Sequence, residues 1–225
     1  MPRQTRRRSY DQYCAAARAL DAVGDRWTLL VVRELLAGPR RYTDLHADLP
    51  GVSTDVLASR LKDMERDGLA TRRKLPPPSA ATVYELTVRG RQLLPVLTAL
   101  AGWGAPELAE RRPTDAVRAH WFAIPLVRAL AGPGDRSGVV EVRLDEGVFH
   151  VRLGGGGPDY GDGPATRPDA CLTLDADTCV ALGRGELTLA DGVRTGQITV
   201  EGDTAFLGVM STSVPSGGTG SAGGG

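Results

Sequence analysis

Residues 42–86 carry polar and basic side chains at helical and strand spacing, and we predict them to fold as helix, tight turn, helix and a two-stranded hairpin. In the second predicted helix, Leu57, Leu61 and Met64 recur at i, i+4 and i+7 and form a narrow apolar face. The opposite face carries polar and basic side chains, which suit hydrogen bonds to base edges in a major groove. An ordinary amphipathic surface helix would show the same pattern, so the flanking segments must decide between the two interpretations.

Residues that start and stop helices mark both ends of this helix. Ser53 can accept a hydrogen bond from a free backbone N–H of the first turn, and Asp55 places negative charge at the positive end of the helix dipole. Gly68 can adopt the left-handed conformation that ends a helix. The residues of this segment that we expect to contact DNA are Ser53, Thr54, Ser59, Arg60 and Lys62.

A cationic hairpin directly follows the helix. Three prolines within residues 76–79 prevent regular pairing and form a loop, after which residues 82–86 alternate and should pair back. Cations on such a hairpin suit phosphate contacts, which position a protein on DNA without reading its sequence; a solvated run of charges is the alternative. Arg40 and Arg41, before the first helix of the unit, are further candidates for phosphate contact. The hairpin cations are Arg72, Arg73 and Lys74.

In this order, these features resemble the HxlR-type winged-helix transcriptional regulators of bacteria, which are relatives of the MarR group. The resemblance covers about residues 13–104 and implies a homodimer that binds pseudo-palindromic operator DNA. The tip of the hairpin, residues 76–81, lacks the basic residue that family wings often carry. The matching segments are CAAARAL from Cys14, GDRWTLL from Gly24, REL from Arg33, GPRRY from Gly38, LPGVS from Leu49, LASRL from Leu57, GL from Gly68, YELT from Tyr84 and GR from Gly90.

The resemblance implies two further roles. Cys14 occupies the position at which several HxlR-type regulators carry a redox-sensing thiol. In those regulators a proline usually follows the cysteine, whereas Ala15 follows it in this sequence. A nearby helix start would lower the pKa of this thiol; a small buried apolar residue is the alternative. The resemblance also implies which helices form the dimer interface. They are the first helix, predicted over residues 11–24, and a long helix from Thr87 to about Trp103. Packing of the long helix on a second domain is the alternative.

The formal net charge of zero hides a strong asymmetry along the chain. Residues 1–112 carry 19 Lys and Arg against 13 Asp and Glu, whereas the remainder carries 8 against 14. A basic half fits DNA, and an acidic half needs another role. We predict an α+β protein. Its parts are a disordered basic arm at 1–9 (or simply a frayed terminus), a winged helix-turn-helix DNA-binding and dimerisation domain at 10–112, a smaller α+β domain at 113–212, and a disordered Gly/Ser tail at 213–225.

The second half alternates predicted helices and short strands. The predicted order is a helix at 115–130, a hairpin of strands 139–144 and 148–153, a glycine-rich loop at 154–168, a strand at 170–174, a helix from 175 to about 182, a turn into a short helix ending at 189, a strand at 198–203 and a helix at 205–210. The last part resembles sterol-carrier-protein-like domains, which implies a hydrophobic small ligand. Candidate lining residues, each of which could instead be plain core, are Trp121, Phe122, Phe149, Leu172, Val180, Leu187 and Phe206.

The sequence offers no catalytic or metal-binding pattern. It has no nucleophile elbow, no metal-ligand spacing and no phosphate-loop continuation after its glycines, so we predict a non-enzyme without metal or cofactor. Three cysteines fit a reducing cytosol, and no apolar run is long enough for a membrane span or signal peptide, so we expect a cytoplasmic protein. The predicted function is a DNA-binding repressor controlled by a hydrophobic ligand. The alternative is a hydrophobic-ligand or lipid carrier with an accessory helical domain.

Overall fold

The first part of the chain folds as a winged helix-turn-helix domain in the computed structural model, which describes residues 9–108, 111–131, 137–154, 159–203 and 205–207. This confirms the predicted order of helix, turn, helix and hairpin. The elements are α1 (Ala15–Val23), α2 (Thr28–Leu36), α3 (Tyr42–Asp48), α4 (Thr54–Arg66), β1 (Ala70–Lys74), β2 (Thr82–Leu86), α5 (Val88–Arg91) and α6 (Leu94–Gly104).

Helix α4 forms where its pattern predicts it. The Ser53 hydroxyl accepts a hydrogen bond from the Val56 backbone N–H at 3.3 Å, which satisfies one free donor of the first turn. Leu57, Leu61 and Met64 are buried against the rest of the domain. Burying each of these side chains contributes about 1.5–3 kcal/mol relative to leaving it in water, so packing fixes which face of α4 points outward.

The predicted long helix after Thr87 is wrong in one respect, because the chain forms two helices there. The Thr87 hydroxyl caps α5 by accepting from the Gly90 N–H at 3.1 Å, as predicted. Pro95 then lies in the first turn of α6. Proline has no N–H for the bond to the residue four positions earlier and its ring clashes with that carbonyl, so it starts a new helix instead of continuing the old one.

The second part of the chain is a five-stranded sheet with helices packed on it. The strands lie in the order β5-β4-β3-β6-β7, and only the β3–β6 pair is parallel. Helix α7 packs on β4 and on α8. The elements are a 3-10 turn (Ala119–Phe122), α7 (Ala123–Ala131), β3 (Gly138–Leu144), β4 (Gly147–Leu153), β5 (Asp159–Asp162), β6 (Ala170–Thr173), α8 (Ala176–Arg184), α9 (Leu189–Arg194), β7 (Thr199–Gly202) and a 3-10 turn (Ala205–Leu207).

Several predicted boundaries in this part need correction. Residues 115–118 are not helical, and the glycine-rich loop contains strand β5, which extends the sheet by pairing with β4. The short helix predicted to end at Leu189 instead begins there, because the Thr188 hydroxyl accepts from the Asp191 N–H at 3.0 Å and caps it. Residues 208–210 of the last predicted helix, residues 1–8 of the arm and the whole tail lie outside the described residues.

Both parts contribute to one continuous buried apolar core, which runs from Val23 in α1 to Leu207. The winged helix and the sheet are therefore packed on each other through apolar as well as polar contacts. In the part of the chain that the structure describes, no helix has the length and apolar character needed to cross a bilayer.

Candidate nucleic-acid interface

Helix α4 presents its polar face to solvent. Thr54, Ser59 and Lys62 are all exposed, while the apolar stripe behind them is buried. The Tyr42 hydroxyl donates to the Thr54 backbone carbonyl at 2.8 Å and so ties the start of α4 to α3. The exposed hydroxyl and ammonium groups therefore lie on a helix whose orientation is fixed by packing. A helix that binds base edges in a major groove needs such a fixed orientation.

Arg60 lies at the flank of that face and is partly engaged inside the domain. Its guanidinium contacts Asp63 at 2.7 Å and Asp25 at 3.4 Å, and its side chain is only 26% exposed. Arg60 therefore also ties α4 to the segment before α2. Its predicted contact with DNA stays a prediction.

The wing carries its cations on an outward-facing strand. Arg72 pairs with Glu65 at 2.7 Å and Arg73 pairs with Glu85 at 2.9 Å. Both arginine side chains are about half exposed. Because an ion pair at such a surface stabilises the fold by only about 0–1 kcal/mol, phosphate oxygens of DNA can replace the carboxylates as partners. Lys74 is exposed at the end of the strand.

Arg41 and Arg40 are adjacent in sequence but have different surroundings. Arg41 is exposed and donates to the Ser79 hydroxyl at 3.1 Å, so it reaches the loop of the wing. The Arg40 side chain is 15% exposed and lies 2.9 Å from Asp162 and 3.9 Å from Asp48. In this arrangement Arg40 joins the winged helix to strand β5 of the second domain.

A buried polar cluster, which we call the Glu34 cluster, lies beside Arg40 at the contact between the domains. The Glu34 carboxylate on α2 is fully buried and accepts from His120 Nε2 at 2.6 Å and from Trp121 Nε1 at 2.8 Å. Arg33 donates to the same carboxylate at 2.7 Å and stacks over the Trp121 ring at 4.0 Å. The other imidazole nitrogen, His120 Nδ1, lies 3.5 Å from Asp162.

The charges of the Glu34 cluster shift one another's ionisation. Burial alone would lower the pKa of His120, but hydrogen bonds with Asp162 and Glu34 outweigh it and raise that pKa above its usual value. The hydrogen bond from His120, helped by Arg40, lowers the pKa of Asp162 to about 2. Burial alone would raise the pKa of Glu34, but His120 and Arg33 together lower it. The cluster therefore stabilises a charged imidazolium between two carboxylates.

Sequence reasoning missed this cluster, although two local signals point to it. Glu34 follows Val31 on the side of α2 that faces the core, where an unpaired carboxylate would be costly. His120 and Trp121 are adjacent donors in a segment that is otherwise apolar. Neither signal identifies the partner, because Glu34 and His120 are 86 residues apart.

An exposed apolar surface lies on the first and last helical segments of the winged-helix domain. Trp103 is 82% exposed and Tyr13 is fully exposed, and single monomers rarely leave several such residues in water. Cys14, next to Tyr13, is exposed at the start of α1, so its interpretation as a buried apolar residue is wrong. The backbone N–H groups of Ala17 and Ala16 in the first turn of α1 lower the pKa of its thiol. The other exposed apolar residues on α1, α5 and α6 and beside them are Tyr10, Leu20, Val88, Val96, Leu100 and Leu108.

The predicted ligand-binding residues lie mostly in the core of the second domain. Phe149 and Leu172 are fully buried, whereas Phe122, Val180 and Leu187 are partly buried. Trp121 is bound into the Glu34 cluster, and the side chain of Phe206 lies outside the described part. A crevice of about 550 Å³ lies between the domains, and the six described candidates are not among its lining residues, which are Ala99, Gly102, Ala105, Pro106, Gly183, Arg184 and Glu186.

These elements define a winged helix-turn-helix protein with a second α+β domain. The model of the HxlR-like helix-turn-helix family matches residues 22–112, and that of the SCP-2 sterol transfer family matches residues 130–213. The chain belongs to the HxlR-like helix-turn-helix family, and its C-terminal part is a sterol-carrier-protein-like domain. Both resemblances predicted from the sequence are thereby confirmed.

Relatives of known name match the winged-helix part. The chain is 36% identical over 86 residues to YvaP of Bacillus subtilis strain 168, an uncharacterized HTH-type transcriptional regulator, covering 38% of this chain and 80% of YvaP. It is 32% identical over 85 residues to the HTH-type transcriptional regulator YodB of the same organism, covering 38% of this chain and 76% of YodB. The solved reduced form of YodB is 30% identical and covers 46% of this chain and 100% of that chain, with a TM-score of 0.38.

Proposed function

We propose that this protein is a homodimeric, DNA-binding transcriptional repressor that binds a pseudo-palindromic operator. The observation that carries the proposal is helix α4, whose back is packed by Leu57, Leu61 and Met64 and whose front exposes hydroxyl and ammonium groups. A helix fixed in this way can enter a major groove while the cations of the wing and Arg41 contact phosphates. The named relatives, which are HTH-type transcriptional regulators, support the same class of function.

The exposed apolar surface on α1 and α6 supports the homodimer in this proposal. Leu97 on α6 is buried within the chain, whereas Val96, Leu100 and Trp103 are left exposed. A second copy of the chain would cover these residues and place two α4 helices on one face of DNA, about one helical turn apart. Control by a hydrophobic ligand in the C-terminal domain is the further part of the proposal, supported by the family match of that domain.

Replacement of Lys62 by alanine tests the proposed reading face. Lys62 is exposed on α4, so its loss should leave the fold intact and weaken operator binding by removing a phosphate or base contact. The matched control is Arg194→Ala in the second domain, which removes one exposed cation far along the chain from α4. If both variants bind the operator as tightly as the unsubstituted protein, the face of α4 that carries Lys62 does not contact DNA.

A further inference from the structure

We propose that Glu34, His120 and Asp162 form a proton-dependent latch that fastens the C-terminal domain to α2 and to the entry of the helix-turn-helix unit. The geometry supports this directly. The buried imidazole of His120 lies between two carboxylates, with Nε2 2.6 Å from Glu34 and Nδ1 3.5 Å from Asp162. An imidazolium has two N–H groups and can donate to both carboxylates, whereas a neutral imidazole has only one.

The structure also indicates which contact fails first when the proton leaves. The Glu34 oxygen that faces His120 is fully buried and has no other hydrogen bond among the described contacts, so it keeps the remaining N–H. Asp162, whose side chain is 38% exposed, then faces a lone pair of the ring and can turn to water. Loss of the proton therefore loosens the end of β5 at Asp162.

Asp162 connects this event to the DNA-binding unit. Its carboxylate holds Arg40 at 2.9 Å, and its backbone N–H donates to the Ala37 carbonyl at 2.9 Å. Arg40 pairs in turn with Tyr84 of the wing through two backbone hydrogen bonds of 3.0 and 2.8 Å. Because the domains also share an apolar core, we expect this edge to loosen without full separation of the domains.

Among the described residues, His120 is the one imidazole that contacts the two carboxylates of the latch. Arg33 on α2 and Arg40 place guanidinium groups 2.7 Å from Glu34 and 2.9 Å from Asp162. On β4, His150 Nδ1 bonds the carbonyl of Gly163, the residue after Asp162, and Arg152 pairs with Asp159. On α8, the Asp175 carboxylate accepts from the Thr178 N–H and caps its own helix.

The sign of the pH dependence follows from the raised pKa of His120. A group whose pKa is higher in the docked state contributes stability that is complete below its free value, about 6.5, and is lost as the pH rises through the docked value. The latch should therefore be closed at pH 6 and should open as the pH rises through the raised pKa of His120. Each unit by which docking raises the pKa corresponds to about a tenfold change in the docking equilibrium.

Trp121 reports on the charge of His120, because its ring centre lies 6.3 Å from that of the imidazole and its indole N–H is bonded to Glu34. We would record fluorescence of the full-length protein from pH 6 to pH 9 without DNA, subtracting a Trp121→Phe variant to isolate this residue from Trp27 and Trp103. A change in emission with a midpoint above pH 6.5 is expected. His120→Gln should abolish it, and His46→Gln, which changes a histidine of α3 whose ring stacks on Tyr42, should retain it. A flat signal in the unsubstituted protein, or an unchanged transition in His120→Gln, overturns the proposal.

A second measurement keeps the test decisive if His120→Gln does not fold. The ring protons of the three histidines can be titrated by NMR in the otherwise unsubstituted protein, with His46→Gln and His150→Gln assigning the remaining signal. A His120 midpoint above 6.5 is expected, and one at or below 6.5 overturns the latch. Any effect of the latch on DNA binding rests on the proposed function. The fluorescence and NMR measurements use the protein without DNA, so they test the latch independently of that function.

Discussion

Substitution of Glu34 by alanine should destabilise the protein far more than its single charge suggests. Glu34 is fully buried and accepts hydrogen bonds from His120, Arg33 and Trp121 at 2.6–2.8 Å. Its removal leaves the Trp121 N–H without its partner and the imidazolium without one carboxylate. Breaking a buried pair from one side costs about 3–5 kcal/mol.

Thermal unfolding followed by circular dichroism measures this cost. For a chain of this size, 1 kcal/mol shifts Tm by about 2–4 °C, so Glu34→Ala should lower Tm by roughly 6–20 °C. The matched control is Glu201→Ala, because Glu201 is 69% exposed and lies 3.7 Å from Arg143, an ion pair worth about 0–1 kcal/mol. Equal shifts for the two variants would refute the reasoning. The double variant Glu34→Leu with His120→Leu should recover part of the loss, because exchanging a whole buried pair for apolar residues is often neutral.

Three further predictions concern α4, the apolar surface and acid stability. Ser53→Ala should cost about 1 kcal/mol by removing the cap on α4, and Ser53→Gly only a few tenths, which chemical denaturation can resolve. Trp103→Glu should convert the proposed dimer to a monomer, as measured by light scattering, because it places a charge in the proposed interface; an unchanged mass would locate the interface elsewhere. The stability of the fold should decrease below about pH 4. The pKa of Asp162 is lowered to about 2 in the folded state, so its carboxylate stabilises the fold above its unfolded pKa. That stabilisation is lost as the pH falls toward 2. Asp162→Asn should flatten this acid limb, and an unchanged acid profile would show that protonation of Asp162 does not cause the loss.

Local signals predicted much of the winged-helix domain correctly. Ser53, the stripe of Leu57, Leu61 and Met64, and the proline-rich loop lie in continuous sequence, so helical spacing and turn chemistry locate α4 and the hairpin without tertiary information. Pro95 was present in the sequence as a breaking signal, but the apolar stripe on both sides of it predicted a single helix. Here the missing N–H of proline overrides periodicity.

The contact between the domains could not be predicted in the same way. Arg40 precedes the helix-turn-helix and follows the pattern of a phosphate-contacting cation, yet its nearest carboxylate belongs to Asp162, 122 residues later. Strand β5, which carries Asp162, lies in a glycine-rich segment with no alternating pattern, and it forms because β4 offers an edge to pair with. Both features depend on how the two domains meet, which no window of the sequence encodes.

The central claim is that α4 and the wing bind a specific operator. The most direct test measures binding of the full-length protein to the DNA upstream of its own gene and to a scrambled sequence, at two salt concentrations. We predict tight binding to the first and weak binding to the second, with a salt dependence equivalent to several phosphate contacts. Weak binding of equal strength to both sequences would contradict the claim and would favour a carrier of hydrophobic ligands, with the sterol-carrier-like domain as its working part.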